Sequence, residues 1–204
     1  MNRVLSFFFV LCLMLGFGIA SAQTTYTKVT SADQLVIGGK YIIVGEDATN
    51  GAFAMGGQKN NNRAANSITI SGSTVSVTEA TQNSTDNVPN QAVALVLGAA
   101  TGNAEYYTFY DAINNGYLYA SSSSSNQMKT QATNNENGEW NITFNGNVCS
   151  IVASASSNRN VMQFNYNSGT PLFSCYASAN QTAVSLYVDA TSLSGYGHGR
   201  IIAQ

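Results

Sequence analysis

Residues 41–57 (YIIVGEDATNGAFAMGG), 106–122 (YYTFYDAINNGYLYASS) and 149–165 (CSIVASASSNRNVMQFN) lie over one another without a gap. Each opens on a short apolar strand, passes through a polar loop to an Asn (Asn50, Asn115, Asn158), and returns as a second strand with an apolar residue at Phe53, Leu118 or Val161. A later member of each set also matches: Ala94-Leu95, Asn141-Ile142 and Ser185-Leu186. Asn115 to Ile142 and Asn158 to Leu186 are nearly equal in length, whereas Asn50 to Leu95 is longer. The excess falls on residues 71–90 (SGSTVSVTEATQNSTDNVPN), a polar stretch that reads as a dispensable loop insertion, since lengthening a surface loop adds little entropy. Repetition of this kind marks an architecture built from one supersecondary unit used several times.

Short alternating runs of Val, Ile, Thr, Tyr and Phe predict strands at 41–44, 52–55, 66–70 and 91–97, then 106–110, 117–120, 127–131 and 139–144, then 148–153, 161–165, 171–175 and 183–188. An extra short strand is expected at 74–78. Ser31-Ala32-Asp33-Gln34 has the spacing of a helix N-terminal capping box and predicts a single helical turn. The organisation expected is an extended entry segment at 23–40, one all-β domain at 41–188 with repeats at 41–97, 106–144 and 149–188, and a flexible Gly-rich tail at 189–204.

Residues 1–22 have the build of a secretory signal peptide: a basic start at Arg3, an apolar run from Val4 to Ile19, and Ala20-Ser21-Ala22 as the small-residue cleavage site. The apolar run falls short of the roughly 20 residues that span a bilayer, so no transmembrane segment is expected after cleavage. The chain is thus expected to be secreted, whether periplasmic, extracellular or held at the cell surface. Export permits a disulfide between the two remaining cysteines, Cys149 and Cys175, but both sit in apolar strand contexts where a free Cys serves as a small core residue. Charged residues make up only 9% of the chain and the net charge is −2, with the basic residues scattered, which offers no stripe for a nucleic-acid backbone.

Three four-stranded units without intervening helices resemble the β-trefoil superfamily. The stretch from Asn114 to Phe144, with a Gly-turn-Tyr-Leu strand followed by a Trp-x-apolar strand, resembles repeats of the ricin-B or fascin-like kind. A β-sandwich or jelly roll with duplicated hairpins would give a similar pattern. The stretches YTKVTSADQLVIGGKYIIV (26–44) and LFSCYASANQTAVSLYV (172–188) also resemble exported accessory modules of Bacteroidetes bacteria, which occur alone or attached to secreted hydrolases, so a hydrolase partner is one implication.

No catalytic constellation is evident. The single histidine, His198, lies in the tail, where nothing holds an imidazole for nucleophilic catalysis. No Cys/His cluster has zinc spacing, and neither a cofactor nor a metal is expected. Asp47 to Gly51 and Asp111 to Gly116 fill equivalent loops with Asn-Gly, the preferred pair for tight turns. Trp140 is expected in the core; Tyr117 and Tyr119, on one strand face, fit either a platform or cross-strand packing.

The reading that results is a non-catalytic binding module for neutral glycans. Loops rich in amides and hydroxyls would hold sugar hydroxyls and an aromatic ring would stack on the sugar face. The third repeat departs from the shared turn, with Asn158-Arg159, and follows its second strand with Asn165-Tyr166-Asn167. The candidate ligand residues are therefore Arg63, Asn126, Arg159, Asn165, Tyr166, Asn167 and Tyr176. The alternative is a structural, matrix or adhesion protein acting through protein–protein association at a cell-surface component.

Overall fold

The structure, a computed structural model, describes residues 22–82, 87–155, 158–167 and 169–193. All but the last residue of the expected signal peptide at 1–22, and most of the expected tail, including His198, lie outside the described residues.

The first repeat holds β2 (Lys40–Asp47), β3 (Gly51–Lys59), β4 (Asn62–Ile68) and β8 (Leu95–Ala99). The second holds β9 (Tyr107–Asp111), β10 (Gly116–Ala120), β11 (Met128–Gln131) and β12 (Trp140–Asn145); the third holds β13 (Val148–Ala153), β14 (Val161–Asn167), β15 (Thr170–Tyr176) and β16 (Thr182–Asp189). The outer strands of each repeat form a closed ring. β2 pairs with β8, β8 with β9, β9 with β12, β12 with β13 and β16 with β2, while β13 packs alongside β16. The inner strands form three hairpins, β3–β4, β10–β11 and β14–β15, which cap one end of the barrel. A six-stranded barrel capped by three hairpins is a β-trefoil.

The threefold repeat is carried by side chains. Where neighbouring repeats meet, Ile43 faces Leu186, Phe109 faces Leu97, and Ile151 faces Ile142, all buried in one cluster with Trp140. Trp140 is fully buried, as its alternating strand suggests, and its indole N–H donates to the Leu118 carbonyl at 3.2 Å. The register of the hairpins differs from the gapless superposition. Val44 pairs with Ala54, Tyr110 with Tyr117 and Val152 with Val161, so the inward positions one residue further on are Met55, Leu118 and Met162. These three are buried, while Val161 is only half-buried. Loops of unequal length between the first two strands of each repeat cause the slip, and a one-residue slip exchanges strand faces.

Two expectations are corrected outright. Residues 23–40 are more than an entry segment: β1 (Gln23–Lys28) pairs with β16 on one side and on the other with β6 (Thr74–Glu79). The expected insertion likewise contributes β5 (Ile70–Ser71), β6 and β7 (Gln91–Ala92). This extra layer has its own core, in which Tyr26, Val75, Val77 and Ala92 cover Ile42, Val44, Ala54 and Tyr187 on the outside of the barrel. Val75 and Val77 alternate with polar neighbours as a half-buried strand requires, which is why the insertion folds instead of looping. The predicted capping turn forms at Ala32–Gln34, with Gln34 Oε1 accepting from the Thr30 and Ser31 N–H groups. Asp189, placed in the expected tail, ends β16 and caps a short helical turn (Ala190–Leu193) by accepting from the Thr191 N–H at 2.9 Å.

Candidate functional site

Asp47 and Asp111 each end the first strand of their repeat and fold the chain back. Asp47 Oδ1 accepts from the Thr49 and Asn50 N–H groups at 3.0 and 2.8 Å, and Asp111 Oδ1 does the same for Ile113 and Asn114 at 3.0 and 3.2 Å. These bonds hold the Asp47 carboxyl below its ordinary pKa, the Asn50 N–H first among them. In the second repeat the turn ends on Asn115, at φ +49°, whose Oδ1 accepts from the Tyr110 hydroxyl at 2.5 Å. The turn therefore fixes a tyrosine on the outside of the barrel.

That tyrosine is one of three. β10 alternates Gly116, Leu118 and Ala120 into the core with Tyr117 and Tyr119 outward, both half-buried. Tyr110 meets Tyr117 edge-to-face, with ring centroids 5.2 Å apart. Across the hairpin, Gln131 faces Tyr117 and Lys129 faces Tyr119. The Gln131 amide is steadied by donating to Asn135 Oδ1 at 3.0 Å. Beside Tyr119 lies a pocket of about 190 Å3, lined also by Ser121, Ser122, Ser123 and Asn137. Rings, amides, hydroxyls and one ammonium thus share a single face. By pairing, Tyr110 and Tyr117 occupy the positions that Val44 and Ala54 hold in the first repeat, where the extra layer buries them, and that Val152 and Val161 hold in the third.

The residues singled out from sequence are not gathered into one site. Arg63 is fully buried and cannot reach a ligand: its Nη2 donates to Asp111 Oδ2 at 2.7 Å and its Nε to the Gly56 carbonyl at 3.1 Å. Asn165-Tyr166-Asn167 belong to β14 and not to a loop, so Asn165 and Tyr166 point to opposite faces. The Asn165 amide donates to the Tyr176 hydroxyl at 3.1 Å, and Tyr176 is too buried, at 6% exposure, to stack on a ligand. Burial raises the pKa of that hydroxyl. Tyr166 leans on Phe53 with centroids 5.6 Å apart and packs against the main core. The Asn167 side chain lies outside the described residues, although its backbone pairs with Thr170. Arg159 and Asn126 do meet, the guanidinium donating to Asn126 Oδ1 across the repeat boundary. Of the two readings left open for Cys149 and Cys175, the structure has the free core cysteines: both are buried and unbonded, and burial pushes the Cys149 thiol up to about 12 and raises that of Cys175 further.

A larger open groove of about 860 Å3 runs between β1, β6 and the end of β16. It is rich in threonine hydroxyls, but among the described residues no aromatic ring lines it. Its charged groups answer one another: Lys40 Nζ lies 3.0 Å from Glu79 Oε2, and Glu79 Oε1 accepts from the Tyr26 hydroxyl at 2.7 Å. This groove is not legible in the sequence, because its walls come from segments far apart in the chain. The tyrosine face was visible as Tyr117 and Tyr119; Tyr110 joins it through cross-strand pairing, which periodicity alone does not supply.

No protein-family model and no curated protein matches the chain. Solved structures do match, with low identity. A lectin of Polyporus squamosus bound to the human-type influenza-binding epitope Neu5Aca2-6Galb1-4GlcNAc is 16% identical at a TM-score of 0.48, over 75% of this chain and 49% of that one. The lysenin pore is 12% identical at a TM-score of 0.44, over 78% of this chain and 49% of that one. Lysenin in complex with phosphocholine is 13% identical at 0.44, over 78% and 46%. The chain spans about half the length of these structures.

Proposed function

We propose that the chain is an exported, non-catalytic binding module that holds a glycan on the tyrosine face of its second repeat. One observation carries this reading: the outward pair Tyr110–Tyr117 stands half-buried, with no second layer over it, at positions that the first repeat buries completely beneath one. Aromatic faces stack on the C–H side of a sugar ring, and neighbouring amides and hydroxyls bond its hydroxyl groups. Here Gln131, Asn137 and the serine run 121–123 stand beside the rings in that role. Charge taken over the whole chain, 9% of residues, favours neutral sugars.

The test is a glycan array followed by titration of any hit. Tyr117→Ala should weaken binding about tenfold, equivalent to roughly 1–2 kcal/mol of lost stacking, with an unchanged circular dichroism spectrum. Equal binding by the variant would move the site off this face. Self-association with no sugar hit would favour the structural or adhesion reading.

A further inference from the structure

Taken as a sum, the chain's charge favours neutral sugars; taken by position, it does not. The ten acidic residues are Asp33, Glu46, Asp47, Glu79, Asp86, Glu105, Asp111, Glu136, Glu139 and Asp189. None lies in β3, β4, β10, β11, β14 or β15, the six strands of the cap, or in the turns at their tips. The same hairpins carry Lys59, Arg63 and Lys129, and Arg159 stands just ahead of the third. Arg63 is buried against Asp111, which leaves three cations near the surface.

Those three lie on segments that meet at one junction between repeats. Lys59 pairs across its hairpin with Asn62. With its amide turned to the orientation that satisfies both of its ends, Asn62 donates to the Asn126 carbonyl at 3.2 Å, and the Asn61 carbonyl accepts from the N–H of Met128, next to Lys129, at 3.0 Å. Arg159 reaches the same strand end by donating to Asn126 Oδ1. Lys28 and Lys40 have carboxylate partners elsewhere, whereas among the described residues neither Lys59 nor Lys129 has one. Lys129 also stands directly opposite Tyr119, so the junction is continuous with the tyrosine face.

We propose that this junction recognises an acidic polysaccharide, a uronate or sulfated chain, whose sugar ring lies on Tyr117 and Tyr119 while its anionic group meets Lys129, with Lys59 and Arg159 serving the next residue along. The inference rests on the glycan reading of the tyrosine face and replaces its neutral ligand with an acidic one. A ring platform beside an ammonium matches a ligand that carries ring and charge on the same unit. The hairpin tips at 58–62 and 121–127 carry amides, hydroxyls and Lys59, with no apolar wedge for a bilayer, and among the described residues the exposed large apolar side chains, Ile37 and Val148, lie outside these segments. Three cations are also too few to track a nucleic-acid backbone.

The experiment titrates the purified protein with polygalacturonate, heparin and neutral dextran, at low and at raised salt. The acidic polymers should bind about tenfold or more tighter than dextran, and that margin should shrink as salt shortens the Debye length from roughly 10 Å at 0.1 M. Lys129→Gln should lower acidic binding about fivefold, and adding Lys59→Gln and Arg159→Gln should bring it close to the dextran level. The melting temperature checks that each variant is folded, and Lys129→Gln suffices if the triple variant is not. Equal affinity for acidic and neutral polymers, or acidic binding indifferent to Lys129, overturns the inference. If Tyr117→Ala abolishes a neutral hit while the lysine variants change nothing, only the acidic class falls. If no glycan of either kind binds, both readings fall. Tighter binding to phosphatidylglycerol vesicles than to any polysaccharide would replace the ligand with a membrane surface.

Discussion

Asp47 and Asp111 do the same local job with unequal consequences. Both close a turn through side-chain bonds to the backbone, but Asp47 is in an exposed turn and Asp111 is fully buried. Asp111 Oδ2 also takes the Arg63 guanidinium and the Asn114 amide, each at 2.7 Å, and so ties a cap hairpin of the first repeat to the turn that positions Tyr110. A charge taken out of water must stay paired, and removing one partner strands the other. Arg63→Met should therefore destabilise the fold by about 3–5 kcal/mol in urea unfolding, far more than the loss of an exposed pair. A change below about 1 kcal/mol would mean that Asp111 finds other donors. The Asp turns were legible in the sequence because capping chemistry is local. Arg63 was misread as a ligand donor because its partner lies 48 residues away and the polar run around it looked like a loop.

At the scale of elements, ten of the twelve expected strands appear nearly in place and the extra strand expected at 74–78 appears as β6, while the region expected at 66–70 is divided between β4 and β5 and that at 91–97 between β7 and β8. Period-two alternation with turn residues between runs is local information, and it sufficed. Register was less legible. Gly45, Asp111 and Ala153 hold equivalent barrel positions, judged by their partners Val184, Leu95 and Trp140 across the repeat boundaries. The residue chosen at each reflects what lies over it: a turn-forming Asp in the second repeat, and in the first a glycine, because Phe164 from the third hairpin packs straight onto it. A Cβ at Gly45 would fall 2.2 Å from Phe164 Cγ, at the root of the ring where the side chain cannot swing away. Gly45→Ala should accordingly cost roughly 1–3 kcal/mol, the range for overpacking a filled core. Phe164→Leu in the same background should recover part of the loss, measured as a double-mutant cycle, and strict additivity would show that the two do not collide.

For the whole molecule, the decisive asymmetry is that one repeat wears a second layer and another does not. The main core fills the barrel and cap, and a second core lies outside it, between the first repeat and the β1–β6 layer. None of this could be read from one repeat, because β1 lies between β6 and β16, and β16 sits beside β2, so the layer joins strands well over a hundred residues apart in the chain. The layer and the tyrosine face are thus alternative treatments of equivalent outer surfaces, one covered and one open. They should be separable by mutation. Tyr26 is fully buried at the centre of the layer, and its hydroxyl is held protonated by burial and by its bond to Glu79. Tyr26→Ala should lower stability by about 3–5 kcal/mol through the cavity it leaves. Because the second core does not reach Tyr110 or Tyr117, glycan affinity per folded molecule should stay within about twofold of wild type, a difference of only some 0.4 kcal/mol. Titration of the folded variant at low temperature reads this directly. A tenfold loss of binding there would mean that the covered face is coupled to the open one through the barrel, and that the extra layer does more than bury what the first repeat leaves exposed.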